Sequence, residues 1–254
     1  MQWWEAAIIA LAGLWAGLIN TVVGSGTLVT FPVLVALGYP PVTATTSNSI
    51  GLISGSITGA VGYRSELVGH GRRLVGYAVA SFLGAIGGTV LLLWLPADAF
   101  ETIAPILVGI SVLLVIVQPA LSRRLKLKDR EATGRRSSPL LYVLIFLVGV
   151  YGGYFTAAQG IMLVGVMGLL LADPLQRLNA FKNALTAVVN LVAGVIYAIV
   201  APVSWPVVGL PAVSSIVGGL LGASVGRRLS PTVLRGAIVV IGTAAFVHLL
   251  LDRA

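Results

Sequence analysis

The sequence contains no cysteine. Disulfide staples, thiolate metal ligands and thiol redox chemistry are therefore excluded. Charge is nearly as scarce. Only 9 % of the 254 residues are Asp, Glu, Lys or Arg, while 57 % are hydrophobic. A soluble domain carries about 25 % charged residues, and a soluble fold could not cover its surface with so few. Soluble enzymes, nucleic-acid binders and disordered chains are set aside, and no nucleic-acid partner is expected. The two histidines, His70 and His248, lie far apart near the ends of apolar runs. They offer neither a metal cluster nor a nucleophile–histidine–acid set, so no metal, no cofactor and no enzymatic activity are expected. Residues 1–5 lack a basic n-region and no small-residue cleavage site follows, so no cleaved signal peptide is expected.

What is present is a series of long apolar runs. A helix crossing about 30 Å of hydrocarbon needs roughly 20 residues. Runs 6–23, 44–63, 74–95, 102–120, 140–158, 180–201 and 207–226 meet or approach that length, and 236–251 is shorter. Two more, 27–37 and 161–172, are too short to cross upright. Each trails a long run after a small-residue break, as a broken or re-entrant helix hairpin would. The expected fold is an all-α integral membrane protein of about ten helical segments, multi-pass in the cell membrane.

Charge orients these spans. Arg64, Arg72 and Arg73 fall in one connection, Arg123 to Arg136 in the longest, Arg177 and Lys182 beside a third, and Arg227, Arg228 and Arg235 beside a fourth. Basic loops face the cytoplasm. Placing these four inside puts fifteen of the sixteen basic residues there, leaving only Arg253 outside. Both termini then lie outside, and Trp3, Trp4, Trp94 and Trp205 fall in the outer interfacial belt.

The halves resemble each other. Gly13-x3-Gly17 recurs as Gly149-x3-Gly153, Gly24 as Gly160, Asn48 as Asn183 and Gly59 as Gly194. Ser81-x2-Gly84-x3-Gly88 recurs as Ser215-x2-Gly218-x3-Gly222. Any one match is weak because glycine is abundant, but the ordered series points to two repeats of five segments, 1–120 and 139–254, joined by a basic cytoplasmic linker, 121–138. A hairpin makes no net crossing, so each half crosses three times and the two must enter from opposite faces. Inverted repeats of this kind place substrate near the midplane at broken helices.

A half-helix beginning at membrane depth presents unpaired N–H groups and the positive end of its dipole, a ready anion site. Gly24-Ser25-Gly26-Thr27 offers one such start and Gln159-Gly160 the other. Polar clusters open the following segments: Thr43, Thr45, Thr46, Ser47 and Asn48 in the first half, Asn179, Lys182 and Asn183 in the second. Thr43 and Ser49 read as helix caps or back-bonded hydroxyls, and Asn190 as a packing residue. Two readings of Lys182 stand side by side: snorkelling to the cytoplasmic surface, or a cation serving the cavity. The carboxylates are Glu5, Glu66, Asp98, Glu101, Asp129, Glu131, Asp173 and Asp252, all in loops, at span ends or at termini. Pumps for protons and cations place such groups within the membrane, so this cavity suits an anion.

Taken together, Gly13-x3-Gly17 leading into Gly24-Ser-Gly26, Thr45-Thr46-Ser47-Asn48, Gly59-x4-Arg64 and Asn179-x2-Lys182-Asn183 resemble the sulfite exporter TauE/SafE family of bacterial transporters over nearly the whole chain. Val22-Val23 before Gly24 departs from the family's glycine-richer break. The resemblance implies movement of sulfite and organosulfonate anions such as sulfoacetate across the cytoplasmic membrane, in the direction of export. The expected partners are a small anionic substrate and the lipid bilayer, with a homodimer as one option. The competing readings are a carrier of another anion, metal cation or amino acid, a membrane enzyme, and a non-transporting membrane subunit.

Overall fold

In the computed structural model, residues 1–128, 138–224 and 231–251 are described, and among them every regular element is helical. The first half contains α1 (Trp3–Val22), α2 (Thr27–Ala36), α3 (Pro41–Gly51), α4 (Ile53–Gly62), a 3-10 turn (Arg64–Leu67), α5 (Gly71–Trp94) and α6 (Ala97–Lys128). The second contains α7 (Pro139–Phe155), α8 (Gln159–Leu170), α9 (Leu175–Val200), α10 (Trp205–Ser224) and α11 (Pro231–Leu251). Among the described residues, five stretches are long and apolar enough to cross a bilayer: Trp3–Val22, Gly71–Trp94, Ala97–Ala120, Leu175–Val200 and Trp205–Ser224. At 1.5 Å per residue, α2 and α8 cover only about half the hydrocarbon thickness. They pack back on the helices that precede them, closing the two expected hairpins.

Two differences from the sequence reading are informative. Run 44–63 is not one helix: Leu52 interrupts it, although Leu52 N–H to Asn48 O and Ser56 N–H to Leu52 O carry the hydrogen-bond ladder past the joint. And α6 continues eight residues past 120, to Lys128, into the stretch read as linker. The remainder of that stretch, with Arg130, Arg135 and Arg136, lies outside the described residues, as do Arg227, Arg228 and Arg253 and the side chain of His248.

The two halves exchange partners. Helix α1 packs along α10, and α7 along α5. Glycine permits the close approach. A Cβ at Gly17 would strike the Ser215 carbonyl oxygen, and one at Gly153 the Ala85 carbonyl oxygen. A Cβ at Gly218 would strike Leu14 O and Leu18 N, and one at Gly88 Val150 O and Tyr154 N. Gly88 thus makes the contacts that correspond to those of Gly218, not those of Gly222 as the glycine spacing implied. The packing register is one helical turn off the sequence match.

Large apolar side chains such as Leu83, Leu113 and Val213 remain exposed on the outside of the bundle. In water they would be a liability, whereas in lipid they face their own solvent. Two aromatic clusters pack in the interior. Phe31, Phe100, Tyr154 and Phe155 form one, with Phe31 and Phe155 edge to face at 5.2 Å. Tyr77, Tyr142 and Phe181 form the other, with Tyr77 5.4 Å from both partners.

Candidate functional site

Helix α1 ends where its last turn widens, with Val23 N–H and then Gly24 N–H, five residues on, both donating to Ile19 O. Gly24 then takes φ +94, a conformation that glycine adopts at no steric cost. Helix α7 ends at Phe155, and Ala158 turns the chain into α8 at φ +58. These two breaks touch. Gly160 N–H donates to Gly24 O at 3.0 Å. A Cβ on Gly24 would lie 2.7 Å from Gly160 Cα, and one on Gly160 would lie 2.6 Å from Gly24 Cα. Only two glycines allow backbone to meet backbone here.

Lys182 turns into this contact. It is fully buried, and its Cδ is 3.0 Å from where a Gly160 Cβ would stand. Nζ donates to Asn20 O at 3.0 Å and Thr21 O at 2.8 Å, and Asn183 Nδ2 donates to Thr21 O at 3.3 Å. These carbonyls form the C-terminal, negative end of α1, where a cation is favoured. Among the described residues no carboxylate pairs with Lys182. The snorkelling reading does not fit, because the ammonium points into the bundle and not toward the surface.

The donor groups differ between the breaks. At α8, Gln159 N–H, Gly160 N–H and Ile161 N–H are taken by Thr156 O, Gly24 O and Ala158 O. At α2, Leu28 and Val29 N–H bond to Ser25 O and Gly26 O. The N–H groups of Ser25, Gly26 and Thr27 meet no acceptor among the described residues. The buried Ser25 hydroxyl and both amide atoms of Gln159, which lies against Gly152, likewise have no partner there. Buried polar groups are nearly always satisfied, so the start of α2 is a place prepared for something polar.

The remaining expected residues divide. Asn48 joins the hairpin: its Nδ2 donates to Thr27 Oγ1 at 3.2 Å, and its Oδ1 accepts from Thr30 Oγ. Thr45 is buried, its hydroxyl unpartnered among the described residues. Gly26 packs on α1 beside Ala16 O. Thr46 and Ser47 face elsewhere. Thr46 donates to Pro202 O at 2.7 Å and Ser47 Oγ accepts Ser204 N–H at 2.9 Å, so the pair fastens the α9–α10 connection. Asn179 is half-buried and joins none of these bonds. Ser49 bonds back to Thr45 O at 2.9 Å, as expected. Asn20 and Asn190 both donate to Ser56 Oγ, at 3.1 and 2.7 Å, tying α1, α4 and α9 together.

Sequence reasoning missed four contributors: Asn20 and Thr21, which end α1, and Ser111 and Gln118 on α6. Asn20-Thr21, two polar residues just before the break, were a usable signal. Ser111 and Gln118, lone polar residues in an apolar run, were not.

Where α8 turns into α9, Asp173 is clamped. Arg73 on α5 reaches it at 2.5 and 3.3 Å, and Arg177 at 3.0 Å. Arg73 also lies over the rings of Phe181 and Tyr77, at 5.4 and 5.9 Å. Burial by itself would raise the Asp173 carboxyl, but the two guanidinium groups hold it below the ordinary carboxylate value. The clamp fixes the turn between α8, which carries Gly160, and α9, which carries Lys182.

Comparison with known proteins agrees with this architecture. The family model described as "Sulfite exporter TauE/SafE" matches residues 9–249. The Escherichia coli K12 protein named "Probable membrane transporter protein YfcA" is 28 % identical over 252 residues, covering 96 % of this chain and 89 % of the relative. A Haemophilus influenzae protein named "Probable membrane transporter protein" is 24 % identical over 248 residues, covering 97 % and 95 %. A Sinorhizobium counterpart is 22 % identical, covering 97 % and 92 %. The apolar spans, the paired hairpins and the match over nearly all of the chain lead to one conclusion: this multi-pass protein of the cell membrane belongs to the sulfite exporter TauE/SafE family of membrane transporters.

Proposed function

We propose that the chain carries small sulfur oxyanions, sulfite or organosulfonates such as sulfoacetate, out of the cytoplasm, and that the anion binds at the contact between the breaks. The observation that carries this reading is the grouping of a buried ammonium with uncommitted donors. Lys182 lies against Gly160, Gly160 touches Gly24, and the N–H groups of Ser25, Gly26 and Thr27 and the Ser25 hydroxyl follow directly. An oxyanion is held by such donors, and charge-assisted bonds are about twice as strong as neutral ones. A metal cation or protonated amine would meet Lys182 as a like charge. Asn48, Thr45, Gln159 and Asn183 complete the walls, while Thr46, Ser47 and Asn179 stand outside them. In this reading, 1–120 and 139–254 act as two inverted halves that rock about the Gly24–Gly160 contact.

A cytoplasm negative by 100 mV favours export of one negative charge by about 2.3 kcal/mol, a gradient of roughly 50-fold. Export therefore needs no carboxylate relay. The test is efflux of labelled sulfite from proteoliposomes, with an inside-negative potential set by potassium and valinomycin. Faster efflux is expected. Efflux that ignores the potential but requires a pH gradient rejects the electrogenic route, and no movement of sulfite or sulfoacetate rejects the substrate class.

A further inference from the structure

The two polar residues on α6 lie seven positions apart, on one face of the helix two turns from each other. Each reaches a carbonyl at one of the breaks. Ser111, paired with Tyr151 Oη at 2.9 Å, donates to Ala157 O at 3.4 Å. Gln118, only 8 % exposed, donates through Nε2 to Val23 O at 3.4 Å. Gln118 also has a partner beyond the break: its Oε1 accepts Arg235 Nε–H from α11 at 3.1 Å.

The orientation of that amide is dictated by chemistry. Arginine can only donate and a carbonyl can only accept, so Gln118 must turn its oxygen to Arg235 and its nitrogen to Val23. The bridge joins a cation on α11 to the end of α1, three residues beyond the first of the carbonyls that Lys182 holds from α9. Two cations are thus tied to one short stretch of backbone, residues 20–23, Lys182 of α9 directly and Arg235 of α11 through Gln118. Arg235 lies one turn inside α11, at the end that the basic loops assign to the cytoplasm, and pairs with no carboxylate among the described residues. An ionisable side chain within a membrane span is costly and marks a pathway more often than a scaffold.

We propose that Arg235, positioned by Gln118, is an anion-capture station on the cytoplasmic flank of the breaks, receiving the oxyanion before it reaches Lys182. The proposal rests on the reading of the chain as an oxyanion carrier. With Nε committed to Gln118, the four remaining guanidinium N–H groups form a planar fork that fits two oxygens of a sulfite or sulfonate. A lysine there would attract the anion but not orient it.

The test uses the full chain in proteoliposomes with labelled sulfite, comparing wild type with Arg235→Met, Arg235→Lys and Gln118→Glu. Gln118→Glu keeps the shape, neutralises the guanidinium and sets an acceptor against Val23 O. Arg235→Met and Gln118→Glu are each expected to raise KM about tenfold, the loss of one charge-assisted contact, with maximal rate within about threefold. Arg235→Lys should fall between. The wild-type KM should rise modestly with ionic strength, because Arg235 is only half-buried and salt screens its exposed part, and that dependence should be weaker in Arg235→Met. A purely structural bridge would lower the maximal rate and leave the salt dependence unchanged. Wild-type KM and salt dependence in correctly folded Arg235→Met and Gln118→Glu overturn the capture role while leaving sulfite transport standing. A wild-type protein that moves no sulfite overturns the functional reading itself.

Discussion

Adding one methyl group at each of three glycines separates what the breaks require. Gly38, between α2 and α3, has φ +86 and nothing within 4 Å of a built Cβ. Gly160 has a helical backbone, but its Cβ would overlap Gly24 Cα at 2.6 Å and press on Lys182 Cδ at 3.0 Å. Gly24 combines both problems, with φ +94 and an overlap of 2.7 Å with Gly160 Cα. A left-handed backbone costs an alanine about 1–2 kcal/mol, and overpacking costs about 1–3 kcal/mol. Gly38→Ala should therefore lose about 1–2 kcal/mol. Gly24→Ala should lose about 2–5 kcal/mol. Gly160→Ala should lose less than the overlap alone, because alanine returns about 1 kcal/mol of helix propensity. That propensity is itself largely the unfolded-state entropy of glycine, so no separate contribution is added for it. Stability would be read from unfolding in mixed detergent micelles and transport from counterflow of labelled sulfite. Gly38→Ala should transport normally. Gly24→Ala and Gly160→Ala should transport slowly even as folded protein, and leucine at either position should abolish transport. If Gly24→Ala is no more costly than Gly38→Ala, or Gly160→Ala transports at the wild-type rate, the backbone contact is not the centre of the site.

Lys182→Met should cut counterflow at least tenfold, the weight of a charged hydrogen bond, while Lys182→Arg retains part of it. Counterflow at the wild-type rate in Lys182→Met would reduce the lysine to a cap for α1. Asp173→Asn should loosen the α8–α9 hairpin. Because Arg73 and Arg177 hold the native carboxyl below its ordinary value, their stabilisation is complete above the unfolded value of about 3.9 and is lost as pH falls through the native one. The difference in thermal midpoint between wild type and Asp173→Asn should then shrink in acid, and a constant difference would point to lost packing instead. Reporter fusions after Val68 should report the cytoplasm and after Asp98 the outside, and a cytoplasmic signal at Asp98 would remove the inverted arrangement of the halves.

The sequence by itself determined the solvent and the skeleton of this protein. Nine per cent charge admits only a bilayer, and the lengths of the apolar runs separate crossing helices from half-helices. The breaks at Gly24–Gly26 and Gln159–Gly160 were legible because glycine and polar residues interrupt otherwise continuous apolar stretches, and α2 and α8 begin there. These are one-dimensional properties, set by local composition against a solvent of known thickness. What one helix presents to another was decided only by tertiary packing. Small residues are so frequent that several registers satisfy the same spacing, and α5 and α10 settled one turn away from the sequence match because there the backbones of α7 and α1 can approach. The direction of a long side chain has the same origin. Lys182 could have risen to the surface, but the C-terminal turn of α1 offers two carbonyls within its reach and draws it inward. Thr46 and Ser47 lie in the same polar run as Asn48, yet they face the α9–α10 connection, because successive helical positions point in different directions. Ser111, Gln118 and Arg235 acquire their meaning only from what stands opposite them, because a lone polar residue in a span is ambiguous until its acceptor is known.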